Sequence, residues 1–377
     1  MNIYKKLSAG LIALTVLMGA SNVSAQKVEN SVIDAIHART SVRTYSDKPI
    51  EKSVLTELVK AGMAAPSGGN RQPWEFIVVT DRAMLDKLAT KKKMLKEAQA
   101  AIIVAGHSDE KNITWQLDCS AATQNILLAA HSVGLGAVWT TVHPHQTLEV
   151  EVRDLIGMPE DVTALDIISI GYPKSKQTPK QKWNKSKLHL NRWAGYFGVT
   201  KSEPIAYDKS VIDAIHSRSS VRAYSDKAVS NSILVELVKA GMAAPSGANK
   251  QPWEFIVITD KAKLNELASF KKSFATAQAA IIVAGHNDPQ NGGSIYWYQD
   301  CSAATQNILL AAHSFGLGAV WNSAFPIEKF ELATNKVAEL PQGVTSLCAI
   351  AIGYPAGAQM PKNKWDENKV HYNKWSK

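Results

Sequence analysis

The chain has 377 residues, 45% of them hydrophobic, and a formal net charge of +9. Three cysteines are too few for a disulfide framework, and the basic excess comes without an RNA- or DNA-binding motif, so nucleic acid is not an expected partner. After the N-terminal segment no stretch is long and apolar enough to span a bilayer, so no stable membrane insertion is expected.

Residues 1–25 read as a signal peptide. Lys5 and Lys6 form a basic start, Leu7 to Ala20 an apolar run, and Val23-Ser24-Ala25 a cleavage site before Gln26. Export to a bacterial periplasm is the expectation. Loss of Lys5 and Lys6 takes the charge from +9 to +7. The remaining excess is local: Lys174 to Arg192 holds seven Lys and Arg residues and no acid. A small phosphorylated ligand suits such a run better than a polyanion.

From Ser31 onward the chain repeats itself. Ser31 to Asp81 matches Ser210 to Asp260 at 39 of 51 positions, and the match resumes from Asp118 against Asp300 to Trp183 against Trp365. A unit of about 165 residues is too long for a solenoid repeat and long enough to carry its own core. The expected organisation is a domain over 26–193, a linker over 194–209 and a second domain over 210–377. Fully extended, the linker reaches about 55 Å, enough for the halves to dock face to face.

Within one repeat, Val32, Ile33 and Ile36 recur at helical spacing in Ser31–Arg39. A second helix is expected from about Ser53, as N-cap, to Ala65. Pro66 to Asn70 breaks it. Trp74–Thr80 and Ala100–Ala105 read as strands, rich in β-branched and apolar residues. Asp118–Val133 is a helix hydrophobic nearly all round, which points to central burial. Strands follow at Ala137–Trp139 and Leu165–Ile170. The elements lack a regular βαβ rhythm, so the fold class is a mixed α+β layer fold.

Two segments carry chemistry. In Arg39-Thr40-Ser41-Val42-Arg43, repeated as Arg218-Ser219-Ser220-Val221-Arg222, alternate residues of an extended chain point the same way. Two guanidinium forks and a hydroxyl suit a phosphate monoester. The same arginines also suit a plain helix C-terminus, where cations are favoured. The second segment is Pro66-Ser67-Gly68-Gly69-Asn70-Arg71-Gln72-Pro73-Trp74, matched by Pro245-Ser246-Gly247-Ala248-Asn249-Lys250-Gln251-Pro252-Trp253. Its Ser, Asn and Gln offer donors and acceptors for the rim of a flat heterocycle, and equally for the backbone of a helix-to-strand turn. His107, His286, His131 and His313 lack metal spacing and read as structural. Cys119, Cys301 and Cys348 read as buried thiols.

Arg-x-Ser-x-Arg, then Ala-Pro-Ser-x-x-Asn-x-Gln-Pro-Trp, then Gly-Leu-Gly-x-x-Trp, then Gly-Tyr-Pro, occur in that order in both halves. Together they resemble the FMN-dependent nitroreductase family over nearly all of each half. The resemblance implies a mixed sheet flanked by helices, and a homodimer here replaced by an intrachain pseudo-dimer, so that a monomer suffices. It implies that Arg39, Ser41 and Arg43, and again Arg218, Ser220 and Arg222, hold the flavin phosphate and ribityl chain. Pro66, Ser67, Asn70 and Gln72 would reach the flavin from the opposite half, as would Pro245, Ser246, Asn249 and Gln251. Trp139 and Thr140, and Trp321 and Asn322, would line the ring. Lys182 and Lys364 stand where the family usually has Arg. The implied activity is ping-pong reduction of nitroaromatics, quinones or similar flat acceptors, with FMN carrying the chemistry and no catalytic side chain or metal. NAD(P)H is the implied donor, although an export signal sits awkwardly with it. An exported flavin carrier or sensor without turnover is the alternative. The halves differ near the pocket, at His143 against Phe325 and at Asn112–Leu117 against Ser294–Gln299.

Overall fold

The computed structural model describes residues 31–198 and 209–376. The expected signal peptide and most of the expected linker lie outside these. The first repeat forms α1 (Val32–Ala38), α2 (Lys52–Met63), β1 (Trp74–Val79), α3 (Arg82–Ala89), β2 (Ala100–His107), α4 (Trp115–Ser132), β3 (Gly136–Thr141), α5 (Gln146–Ile156), β4 (Val162–Gly171) and β5 (Leu188–Leu190). The second forms α6 (Val211–Ser217), α7 (Asn231–Met242), β6 (Trp253–Ile258), α8 (Lys261–Phe270), β7 (Ala279–His286), α9 (Trp297–Ser314), β8 (Gly318–Ser323), α10 (Glu328–Ala338), β9 (Val344–Gly353) and β10 (Val370–Tyr372).

Local chemistry explains the starts. Ser31 accepts from the Asp34 amide at α1, and Asp81 accepts from Met84 at α3. The expected cap at Ser53 is not used. The N-cap lies two residues earlier, at Glu51, which makes no side-chain cap bond. In the second repeat Ser230 occupies the matching place and does cap α7. Helices α3 and α5 were not expected. Their buried Leu85 and Leu88, and Val152 and Ile156, stand three and four residues apart and cover the outer face of the sheet.

Each half has a five-stranded sheet, and each sheet contains one strand from the other repeat. The orders are β10-β1-β2-β4-β3 and β5-β6-β7-β9-β8. The foreign strand is the parallel one at the edge, with Val370 opposite Phe76 and Leu188 opposite Phe255. The repeats are thus exchanged at their C-terminal ends, and the sheets do not follow the repeat boundary.

A buried glutamate fixes each exchange. Glu75 accepts from His107 at 3.1 Å and from His371 at 3.2 Å, with Lys369 at 3.7 Å. Glu254 does the same with His286, His189 and Lys187 at 3.0–3.2 Å. Burial alone would raise the Glu75 carboxyl, but the imidazole hydrogen bonds and the ammonium bring it down to about 2. This lies below the ordinary 4.5, so its stabilisation is full above that value and is lost as pH falls towards about 2. The denaturant midpoint is expected to drop from about pH 5 to about pH 3. Glu75→Gln should lower it at neutral pH and flatten that acid limb. An unchanged limb would contradict the assignment.

The halves meet through α4 and α9. Gln124 donates to Asn307 at 2.7 Å, and Gln306 donates to Asn125 at 2.6 Å, all four fully buried. Asn125 and Asn307 in turn donate to Ala61 and Ala240 of α2 and α7. These amides occupy the middle of the apolar helix that the sequence marks as central. Ser31 and Ser210 form an antiparallel bridge at the same junction. All three cysteines are free and buried.

One core position breaks the symmetry. Asp166 on β4 is fully buried, takes the Thr123 hydroxyl at 2.8 Å, and leaves Oδ1 unpartnered. Burial pushes its carboxyl well above the ordinary 3.8, so the folded chain keeps a proton that the unfolded chain sheds. Its cost therefore grows as pH rises above 3.8. The second repeat has Cys348 there, packed against Thr305 at 3.4 Å. Asp166→Cys is expected to raise Tm, and by more at pH 8 than at pH 5. A uniform shift would contradict this account.

Candidate functional site

Two cavities lie between the repeats, and each takes its walls from both. The first, of about 680 Å³, is lined by Arg39, Ser41 and Arg43 of one repeat and Pro245, Ser246 and Asn249 of the other. That size falls in the usual range for a cofactor site. The second, of about 260 Å³, joins Ser220, Arg222, Trp321 and Asn322 to Pro66 and Ser67. We call them site 1 and site 2.

The Arg-x-Ser-x-Arg segment lies extended beside β3. Val42 donates to the Ala137 carbonyl at 3.1 Å. A Cβ at Gly136 would stand 2.6 Å from Val42, so the second glycine of Gly-Leu-Gly permits this approach. Arg39 is buried, and its Nη1 has no partner. Burial lowers it to about 10, which leaves it charged at neutral pH. Arg218 is matched: buried, about 10, with Nε and Nη1 unpartnered. A buried guanidinium with free donors is costly unless an anion completes it. Arg43 and Arg222 are exposed and turn one nitrogen back to the carbonyls of Ser41 and Ser220.

The Pro-Ser loop is strained. Gly69, Asn70 and Gln72 all have φ between 50° and 60°, as do Asn249 and Gln251, with Ala248 at 49°. Such left-handed backbone concentrates at functional sites. The loop is held from within, with the Gln72 amide donating to the Ser67 hydroxyl and the Gln251 amide to Ser246, each at 3.0 Å. It is also held from below. Gly68 donates to both carboxylate oxygens of Asp118, and Gly247 donates to Asp300. Burial pushes each of these carboxyls up to about 7, against the pull of the glycine amide.

Lys182 lines site 1 and donates to Ala244 of the other repeat at 2.5 Å. Burial, with Arg39 nearby, lowers it to about 7. Lys364 donates in the same way to Ala65 and is lowered to about 7 by burial and by Arg218. Several expected residues do not line a cavity. Gln72 and Gln251 shape their own loops, and Arg218, Asn70 and Lys364 stand outside the lining of site 2. Trp139 and Thr140 lie on β3 with Nε1 and Oγ1 unpartnered, outside the lining of site 1. Trp321 and Asn322, their equivalents, do line site 2.

Other lining residues were missed. His37, Lys180, Trp183 and Lys239 line site 1, and Thr114, Asp118, Lys271 and Ile327 line site 2. Lys180 belongs to the basic run noted in the sequence, and Lys271 is the repeat equivalent of a lysine in the Lys-rich stretch before β2. No group of His, Cys, Asp and Glu among the described residues is placed to hold a metal. No helix among them is long and apolar enough to cross a membrane.

The unpartnered donors around the phosphate-suited segment, together with a strained polar loop facing it across the repeats, fit a flat, phosphorylated cofactor. The family model for the nitroreductase family matches residues 36–95 and 86–172, and again 215–277 and 268–354. The chain therefore belongs to the nitroreductase family. A relative from Archaeoglobus fulgidus, named as an NADH dehydrogenase/NAD(P)H nitroreductase, is 41% identical over 42% of this chain and 96% of its own length. One from Methanothermobacter thermautotrophicus with the same name is 40% identical over 43% of this chain and 87% of its own. A crystal structure of such a protein from Bacteroides thetaiotaomicron is 48% identical, covers 44% of this chain and 98% of its own, and has a TM-score of 0.42. These relatives correspond to one repeat each.

Proposed function

We propose that this chain reduces flat acceptors such as nitroaromatics and quinones at two flavin sites, each built from both repeats. It is an FMN-dependent oxidoreductase of the nitroreductase type with NAD(P)H as electron donor. FMN, when bound, supplies the hydride chemistry, and donor and acceptor use the same face in turn. The protein's part is to bind and orient. Arg39, Arg43 and Lys182 would hold the phosphate in site 1 and Arg222 in site 2, where Arg218 and Lys364, the equivalents of Arg39 and Lys182, stand behind the lining. The loops at Ser67 and Ser246 would close on the flavin from the opposite repeat. The carrying observation is site 1, where a buried arginine with an unpartnered Nη1 faces Pro245, Ser246 and Asn249 of the other half.

The test is spectroscopic. Purified protein should take up FMN, bleach with NADH or NADPH, and recover its colour with a quinone. Protein that takes up no FMN would refute the reading. Protein that takes it up but is bleached by no donor would be a carrier instead. Residues 1–25 further suggest a periplasmic activity, which intact mass checks, since the mature chain should begin at Gln26.

A further inference from the structure

The two sites differ where an acceptor would lie. At site 2 the wall beyond Trp321, Asn322 and Ser323 is made by Ile327 from one repeat and Thr114 from the other. Their repeat equivalents are His145 and Tyr296, which stand outside the lining of the site 1 cavity and beside its loop. These two are hydrogen-bonded across the repeats, Nε2 to Oη at 2.6 Å, with their rings edge to face and centroids 5.8 Å apart. Tyr296 is half-buried and lies directly against Gly247 of the site 1 loop, as Thr114 lies against Gly68. A Cβ at Gly247 would stand 2.7 Å from the Tyr296 ring. The phenol ring therefore packs against the site 1 loop, with its oxygen held by His145.

A second tether acts only here. Gln299 donates from Nε2 to the His143 carbonyl at 2.8 Å, which ties the 143–145 segment to α9. Its equivalent in the first repeat is Leu117, which has no donor to offer Phe325. Beside the site 1 loop thus stands a fixed pair, a hydroxyl and an imidazole. Site 2 has an aliphatic side chain and a threonine whose hydroxyl donates to Asp118 at 3.2 Å.

We propose that the two sites are specialised for different acceptors, and that His145 and Tyr296 make site 1 the one that grips an acceptor by its reducible oxygen. Resting on the flavin reading above, this assigns planar quinones and nitroaromatics to site 1. Tyr296 Oη donates to the carbonyl or nitro oxygen while His145 holds the phenol in place. Site 2 lacks that phenol–imidazole pair, with Thr114 and Ile327 in its place. Tyr296 is a specificity residue, and His145 a positioning one that acts through it.

The test uses the full-length, FMN-loaded, oxidised protein without reductant, so that binding is read apart from turnover. 1,4-Naphthoquinone and naphthalene are titrated against intrinsic fluorescence. The quinone should bind in two phases, and Tyr296→Phe should weaken the tighter phase by about fivefold, the worth of one ordinary hydrogen bond. Naphthalene should be unaffected. Thr114→Tyr with Ile327→His should give site 2 the tighter quinone phase, which keeps the proposal testable if a site 1 variant folds poorly. Quinone affinity that stays within twofold in both Tyr296→Phe and the graft, with flavin still bound, overturns this proposal and leaves the flavin reading standing. A wild-type protein that cannot be loaded with FMN overturns both.

Discussion

Arg39→Ala combined with Arg43→Ala should empty one flavin site and spare the other, taking the bound FMN from roughly two per chain to roughly one. Each charge-assisted contact to a phosphate contributes about 1.5–3 kcal/mol, so losing two weakens binding by roughly 10²- to 10⁴-fold. Site 1 is lined by these arginines together with Ser246 and Asn249, whereas Ser67 lines site 2. Adding Ser246→Ala and Asn249→Ala should therefore remove nothing further. Adding Ser67→Ala and Asn70→Ala should strip the second flavin instead. Flavin absorbance per chain after gel filtration separates these outcomes. If the loop changes at 246 and 249 removed the second flavin, each site would belong to a single repeat.

Ending the chain after Trp365 should destabilise the first repeat, although every deleted residue belongs to the second. The deletion removes β10 from the edge of β1 and takes His371 and Lys369 away from Glu75. Glu75 keeps only His107, and breaking a buried ion pair in this way costs up to about 3–5 kcal/mol. Hydrogen exchange should rise in Trp74–Val79 and stay low in Trp253–Ile258, whose own edge is covered by β5. Faster exchange confined to the second sheet would show that the strands are not exchanged.

The sequence made the duplication, the central helices and the phosphate-suited segment legible, because each leaves a pattern. Repetition is read directly, and α4 is buried nearly all round because it packs against its own sheet, α2 and α9. Strand exchange left no such mark. Leu188–Leu190 is only three residues long, and its partner is fixed by distant geometry instead of local periodicity. The histidines at 107 and 286 read as structural, and their hydrogen-bond partner Glu75 or Glu254 sits mid-strand among apolar residues, where spacing gives no sign of an ion pair. The site was legible in its two motifs and less so elsewhere. Tyr296 and His145 come from different repeats, and neither belongs to a motif.

The central claim is that one chain builds both flavin sites between its two repeats. Native mass spectrometry of the FMN-loaded mature protein tests it most directly. The account predicts flavin bound at the mass of a single chain, about two FMN on each. Single chains free of flavin, with FMN found only on dimers, would contradict it.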